Sequence, residues 1–329
     1  MTLVVAMLLS AGCGESAETP GTSATSGRKL SVVTTVAPLT SIVANVAGDL
    51  ATVRGVVPEG TNSHTFEPPP STAKVLSQAD IVFLNGLQLE EPTRELAVDT
   101  GPKGAEIVEL GDRTITPAEY LYDFSFPKEA GRPNPHLWTN PPMAKQFAFV
   151  AAETLAARDP ANAEGYRANY DRFAVRVDEL DRAMISATAT LARERRKLLT
   201  YHDAYAYFAR HYDWTVVGAI QVSNFEEPTP REVADLITQV RREGVPAVFG
   251  SEVFPSPVLE QIGREAGVRY VDVLRDDDLP GEPGGPDHSW LGLMRFDFIT
   301  MVEALGGDAT ALRAVKVQDT APDRAEYPQ

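Results

Sequence analysis

PPMAKQFAFVAAETLAARDPANAEGYRANYDRFAVRVDELDRAMISATATLARERRK (Pro141–Lys197) is the stretch that organises the chain. It is almost free of strand signals and rich in Ala, Leu, Arg and Glu, which are strong helix formers. Asn140-Pro141 and Asp159-Pro160 each place a capping residue before a proline, the arrangement that opens a helix. The pattern predicts one helix over Pro141–Arg158 and a longer one from Pro160 toward Arg193. At a rise of ~1.5 Å per residue the second would span ~50 Å. That is long for a core helix and suits a strut between two lobes.

On either side of this stretch the chain alternates strand-like and helix-like segments. Before it, Leu30–Val36, Thr52–Val57, Ile81–Leu84 and Ile107–Leu110 read as strands, and Pro38–Ala47 and Pro70–Ala79 as helices. After it, Leu198–Tyr201, Val216–Ile220, Ala247–Phe249 and Tyr270–Val273 read as strands. Asp203–Tyr212, Phe254–Ala266 and Leu293–Leu305 read as helices. Another helix opens at Thr229-Pro230-Arg231-Glu232, a capping box with proline at its first position. Strands separated by helices imply parallel sheets with crossover connections. The expected fold is therefore α/β: two similar lobes, each a roughly four-stranded parallel sheet flanked by helices, joined by a long rigid helix. Residues 30–140 form the first lobe, 141–196 the connecting helices and 197–315 the second lobe. Residues 316–329 carry no apolar period and read as a disordered tail.

Hydrophobic residues make up 43% of the 329, enough for two cores. The formal charge of −16 argues against nucleic acid and anionic membrane surfaces, both of which require a basic face. It is compatible with handling cations, and equally with a plain solvated surface. The single cysteine, Cys13, excludes an intramolecular disulfide. Residues 1–29 read as a secretory signal followed by a tether. Thr2–Ala11 is a short apolar run, too short to span a bilayer, and it ends in Ser10-Ala11-Gly12-Cys13. A cysteine directly after small residues resembles a bacterial lipoprotein box, which makes Cys13 the lipidation site and the mature protein membrane-anchored and extracytoplasmic. Ser10 stands where that pattern has Leu, and no Lys or Arg precedes the run. Glu15–Lys29, rich in Ser, Thr, Gly, Ala and Pro, reads as a flexible tether.

Three of the five histidines fall where a two-lobed α/β chain brings its strand ends together. His64 lies in Thr61-Asn62-Ser63-His64-Thr65-Phe66-Glu67-Pro68, after the second strand. His136 lies in Asn134-Pro135-His136-Leu137-Trp138-Thr139-Asn140-Pro141, before the strut. His202 lies in Thr200-Tyr201-His202-Asp203-Ala204-Tyr205, at a strand's C-terminal end, where open α/β sheets bind ligands. Any one alone reads more simply as a structural histidine. Three together point to a metal site, since neutral imidazole is the commonest protein ligand for borderline transition metals.

These segments together resemble the periplasmic or lipid-anchored metal-binding proteins of bacterial ABC transporters for zinc and manganese. Asn62–Pro68 is similar to that family's Asp-Pro-His-x-Tyr/Phe-Glu-Pro segment, and Asn134–Pro141 to its Asp-Pro-His-x-Trp-x-Asp-Pro segment. Thr200–Phe208 and Glu227-Pro228-Thr229-Pro230 resemble two further segments in order. The resemblance runs from about Leu30 to Gly306. It implies two lobes that close only slightly around a divalent metal, a membrane permease as partner, and a monomer. It also implies a fourth, carboxylate ligand in the loop after the last strand, here Leu274-Arg275-Asp276-Asp277-Asp278-Leu279. The family pattern selects Asp277, with Asp276 and Asp278 as substitutes. Asn62 and Asn134 replace the usual acids and lower the negative charge near the site. The His-rich loop of many zinc-scavenging members is absent.

Three imidazoles and one carboxylate suit tetrahedral Zn²⁺. Mn²⁺ is the alternative, since it prefers more oxygen ligands, and manganese carriers of this family often have Glu where His202 stands. Glu67 and Asp203 are candidates to accept a proton from a ligand's second ring nitrogen. Trp138 and Tyr201 are candidates to wall the site off from water, or simply to pack the core. His211 and His288 read as surface histidines. A zinc hydrolase is the rival reading, but it needs an open coordination position and a general base, and four ligands close the site. A surface adhesin on the same fold is a second rival. No catalytic residue is expected.

Overall fold

The structure, a computed structural model, describes residues 28–221, 228–251 and 257–329. Cys13, its signal and most of its tether lie outside the described residues, as does Glu227. The first sheet holds β1 (Leu30–Thr34), β2 (Ala51–Gly55), β3 (Ile81–Leu84) and β4 (Glu106–Glu109), in the order β2-β1-β3-β4 with every pairing parallel. The second holds β5 (Lys197–Thr200), β6 (Thr215–Ala219), β7 (Ala247–Ser251) and β8 (Arg269–Leu274), in the order β6-β5-β7-β8, again parallel. The two lobes thus repeat one topology. In each, the crossover from the first strand runs to one side and the next crossover passes back to the other, so a crevice opens beyond the strand C-termini at that switch point.

Alternation along the strands explains the layers. Leu30 and Val32 face the main core, whereas Val33 faces a second cluster with Val82, Leu84, Leu76 and Ala97. That outer cluster is covered by α2 (Pro70–Leu76) and α3 (Glu91–Thr100). The sequence pattern does not reveal α3. Its residues are mostly polar or charged, and only Thr93 and Ala97 are buried, so it carries almost no apolar period. In the second lobe Leu199, Val217, Ile220 and Val248 pack beneath α7 (Pro230–Glu243) and α8 (Pro257–Ala266). The Thr229 capping box is present: its side chain accepts from Glu232 N, and Glu232 returns a bond to Thr229 N.

The main core runs unbroken from one lobe to the other along the strut. α4 (Pro141–Arg158) buries Ala144, Ala148, Ala151, Ala152 and Leu155. These small side chains let it lie close against α5 (Ala163–Ala189), which buries Tyr166, Phe173, Val177, Leu180, Met184 and Ala187 at three- and four-residue spacing. α5 is 27 residues long, hence ~40 Å. It begins after a single 3-10 turn at Pro160–Asn162 and ends at Ala189, short of the expected Arg193. α1 (Ala37–Ala47) packs on α4 and α5, as does α9 (Trp290–Ala304) on α1 and α5. α6 (Ala206–Tyr212) and a short α10 (Thr310–Arg313) complete the helices described. A connection buried this continuously has little freedom to bend.

The C-terminal segment corrects the sequence reading. Residues 316–329 are not a disordered tail: Val317 and Ala321 are buried, and Glu326 forms a parallel bridge with Arg54 beside β2. Backbone pairing and two buried apolar groups, rather than an apolar period, hold this segment, so hydropathy does not reveal it.

One buried acid fixes the crevice floor in the first lobe. Glu90 accepts from Thr35 Oγ1 at 2.6 Å, Asn85 N at 2.7 Å and Gly86 N at 3.2 Å. Burial pushes its carboxyl up to about 7, against those three hydrogen bonds, which favour the charged form. Asn85 Nδ2 in turn donates to Pro135 O at 3.0 Å, next to His136. Glu90→Ala leaves three donors without their acceptor and should lower stability by ~3 kcal/mol or more. Denaturant unfolding that shows a loss below ~1 kcal/mol would contradict this.

Candidate metal centre

Each histidine is delivered by a short polar device. Asn62 Oδ1 accepts from His64 N at 3.0 Å, and Asn134 Oδ1 accepts from His136 N at the same distance. Two Asn-x-His segments thus use the same Asx turn to aim the third residue's ring. His202 stands two residues past the end of β5, and Thr200 Oγ1 donates to its carbonyl at 2.7 Å. Thr139 Oγ1 bridges His136 O and Ala204 O, both at 2.9 Å, and Asn140 Nδ2 reaches Tyr207 O at 3.1 Å. These bonds tie the loop carrying His136 to the loop carrying His202.

The three rings meet at their Nε2 atoms. His64 lies 3.1 Å from both His136 and His202, and His136 and His202 lie 2.8 Å apart. His136 and His202 are buried, at 0% and 2% exposure. Among the described residues this is the group of potential ligands whose atoms gather within 4.8 Å of one another, and no carboxylate joins it at that spacing.

The proton on the His136 ring can be assigned from its partner. Asn134 Nδ2 donates to Asp123 Oδ2 at 2.9 Å and to Asp203 O at 2.6 Å, so its oxygen must face His136. That oxygen lies 2.8 Å from His136 Nδ1, which therefore carries the proton. His202 Nδ1 lies 3.0 Å from Asp276 Oδ2, somewhat off the ideal hydrogen-bond line. With its proton on Nδ1, His136 turns a bare Nε2 lone pair toward the other two rings, 2.8 Å from His202 Nε2. A cation at the centre of the three Nε2 atoms would be coordinated by imidazole lone pairs of this kind. Nitrogens ~2.1 Å from one tetrahedral ion stand about 3.4 Å apart. The triangle is a few tenths of an ångström tighter than that, within the reach of side-chain adjustment.

Burial holds the His64 and His136 imidazoles well below their usual 6.5, and the nearby His202 adds to this because a second positive charge would be repelled. The carboxyls respond oppositely. Burial pushes Asp276 up to about 6, with His202 pulling the other way, and Asp278 up to about 7. The two sets have opposite signs in stability. A depressed histidine stays neutral in the fold while the unfolded chain takes a proton near ~6.5, so it costs the metal-free fold stability as pH falls through 6.5. A raised carboxyl contributes stability at low pH that is lost as pH rises through 6 to 7. For ion capture the histidines decide. Zn²⁺ affinity should stay nearly level to below pH ~6.5 and then fall by more than ~1 decade per pH unit, because more than one ring must protonate. Competition titrations between pH ~7.5 and ~4.5 check this, and a slope of ~1 or less would contradict it.

The acid triplet after β8 divides its tasks. Asp276 faces the rear of His202, and Asp278 accepts from Gly60 N with both oxygens, at 3.0 and 2.8 Å. Asp277 Oδ2 accepts from Ser63 Oγ at 2.6 Å, while its Oδ1 is buried without a hydrogen-bond partner.

Several expectations are corrected here. Glu67 is exposed, so it does not fix a ring tautomer. Asp203 turns its carboxylate to Ser125 N at 2.9 Å and toward Asp123, and burial beside that second acid pushes Asp123 up to about 9. Asn134 holds the Nδ1 of His136 instead, and Asp276 faces the Nδ1 of His202. Trp138 does pack on His136, with ring centroids 5.0 Å apart and its Nε1 on Asp276 O at 2.8 Å. Tyr201 belongs to the core beneath α7 and α8. Among the described residues Phe126 also packs over the histidines, 5.5 Å from His64 and 5.7 Å from His136. Its loop, residues 121–133, carries no motif that marks it in sequence. His288 is buried at 2% exposure and contacts Glu59 Oε2 at 3.2 Å, so it is not a surface residue. His211 pairs with Asp181 at 2.8 Å, away from the site.

Two parallel-sheet lobes on a helical strut, with a buried imidazole cluster between them, define a solute-binding protein of a metal importer. Residues 32–304 match the profile of the periplasmic zinc-uptake complex component A family, ZnuA, and the chain belongs to that family. It is 29% identical to the manganese-binding lipoprotein MntA of Halalkalibacterium halodurans, over 92% of this chain and 96% of that one. It is 27% identical to the iron-binding protein YfeA of Yersinia pestis, over 85% and 87%. Among solved structures it resembles the periplasmic zinc-binding protein TroA of Treponema pallidum, with a TM-score of 0.75 and 24% identity, over 84% of this chain and 99% of that one. Members of this family are substrate-binding components of metal ABC transporters, not enzymes.

Proposed function

We propose that this chain captures a divalent transition metal between its lobes, with His64, His136, His202 and Asp277 as ligands, and hands it to an ABC permease in the membrane. The observation that carries this reading is the convergence of three imidazole Nε2 atoms within 3.1 Å of one another, at the spacing of ligands around one ion. Asp277 is the fourth ligand in this reading because Asp278 is bound to Gly60 N, Asp276 stands behind His202 at its Nδ1, and the Asp277 Oδ1 is buried with no hydrogen bond. Its carboxylate stands outside the imidazole triangle, so ligation requires the Asp276–Asp278 loop to move inward on loading.

Zinc is favoured over manganese. Three nitrogens and one oxygen suit a tetrahedral ion, whereas Mn²⁺ prefers more oxygen and higher coordination. The names of the relatives do not decide, since manganese, iron and zinc all appear among them. Four protein ligands leave no open position for a catalytic water, so no reaction is assigned. The protein acts as a monomer, and its charge of −16 disfavours nucleic acid. Cys13 carries the lipid that holds it outside the cytoplasmic membrane, with residues up to 29 as tether. Replacing Cys13 with Ser should release the protein from membranes and leave metal affinity intact.

Elemental analysis of the purified chain, followed by competitive titration with Zn²⁺ and Mn²⁺, tests the reading. One equivalent of zinc, held against excess manganese, is expected. No bound metal, or manganese displacing zinc at equal concentration, would overturn it in whole or in part.

A further inference from the structure

We propose that the C-terminal segment 316–329 is an inter-lobe strap that positions the loop leading to His64 and thereby slows metal release. The family profile ends at residue 304, so this strap lies beyond the part of the chain that the family defines. Its path is built at every step. Val317 O accepts from Ser289 Oγ at 2.9 Å, at the start of α9. Asn45 on α1 then binds Asp319 Oδ1 at 2.7 Å and Thr320 N at 2.9 Å. Beyond Ala321 the segment reaches the free edge of β2. There Glu326 N donates to Val53 O at 3.0 Å, and Gly55 N donates to Glu326 O at 2.9 Å. A Cβ on Gly55 would meet Thr40 Oγ1 of α1 at 2.9 Å and Pro328 Cδ of the strap at 3.3 Å, so a larger residue here would crowd α1 first and the strap second.

The strap then acts on the site through Glu59. Glu59 N donates to Pro328 O at 3.2 Å, and Gln329 Nε2 donates to Glu59 Oε2 at 2.9 Å. Tyr327 packs on His288 with ring centroids 4.7 Å apart, and His288 in turn contacts Glu59. Held this way, Glu59 Oε1 accepts from Leu279 N at 3.1 Å, while the next residue, Gly60, donates to Asp278. One short loop of the first lobe is thus clamped to the acid loop of the second, four residues before His64. Opening the cleft on that side requires the strap to let go of Glu59 or Glu59 to let go of Leu279.

This inference rests on the metal-binding reading, and its test separates the two. Four proteins are compared: the full chain, a truncation ending at Asp323, Glu326→Pro and Glu326→Ala. The proline removes the N–H that bonds Val53 O, whereas the alanine removes only an exposed ion pair with Arg54 and serves as control. Amide exchange at Gly55 and Glu59 should rise by about tenfold or more in the truncation and in Glu326→Pro, with α5 amides unchanged. Release of Zn²⁺ to a chelator should quicken about tenfold in the same two proteins and stay within about twofold in Glu326→Ala. Faster exchange with unchanged release would make the segment merely structural and overturn the proposal, as would unchanged exchange. A full chain that holds no Zn²⁺ overturns the metal reading and the release role with it, while exchange still decides whether the strap exists.

Discussion

His136→Ala should lower Zn²⁺ affinity by about 10²–10³-fold. Protein zinc sites are worth ~10–16 kcal/mol, so one ligand of four accounts for ~3–4 kcal/mol, and ~1.4 kcal/mol is a decade. His136 is the ring with the fullest support: Asn134 on its Nδ1, Trp138 and Phe126 on its faces. Its replacement cannot be made good by a mobile neighbour. Asn134→Leu keeps all ligands but frees the ring, and should cost 10–100-fold, the usual scale for such supporting groups. Isothermal or chelator-competition titration distinguishes the two. Equal losses for both variants, or a loss below ~10-fold for His136→Ala, would contradict this ligand assignment.

Trp138→Ala should destabilise the metal-free fold by ~3–5 kcal/mol, the cost of emptying a fully buried aromatic site. The side chain is 0% exposed. Its Nε1 holds Asp276 O, and its own carbonyl accepts Trp290 Nε1 at 3.0 Å. Trp138 is therefore a joint among three segments as well as a filler. Trp138→Phe retains most of the apolar contact and loses the bond to Asp276 O, for an expected ~1–2 kcal/mol. Urea unfolding of both variants measures these differences directly. A Trp138→Ala loss under ~1.5 kcal/mol would mean that the joint is not where the lobes are held.

The two-lobed architecture is legible in the sequence because each lobe advertises its strands as β-branched runs and the strut as a long stretch without them. Thr229–Glu232 even marks a helix start to the residue. What stays hidden has physical reasons. α3 packs through Thr93 and Ala97 and so shows no apolar stripe. The segment 316–329 is held by backbone pairing at Glu326 and by side-chain bonds to distant residues such as Asn45 and Glu59, neither of which leaves an apolar period. The three histidines are visible because imidazoles beside Pro and Asp at strand ends are rare in a chain with five of them. Their supporting groups are harder to read. Asn134 looks like a lost charge in sequence. In the fold its amide donates to Asp123 and Asp203 O while its oxygen accepts from His136, a pairing a carboxylate could not make. Asp276 and Asp277 are adjacent and chemically identical, and only the direction each faces separates the acid behind His202 from the one whose Oδ1 is buried without a hydrogen bond.

The most direct test of metal capture by these residues is X-ray absorption at the zinc edge of the loaded chain. The account predicts three imidazole nitrogens and one carboxylate oxygen at ~2.0–2.2 Å, with the outer-shell scattering typical of imidazole rings, and loss of one ring's contribution in His136→Ala. A first shell made of oxygen alone, or a spectrum unchanged by that substitution, would contradict it.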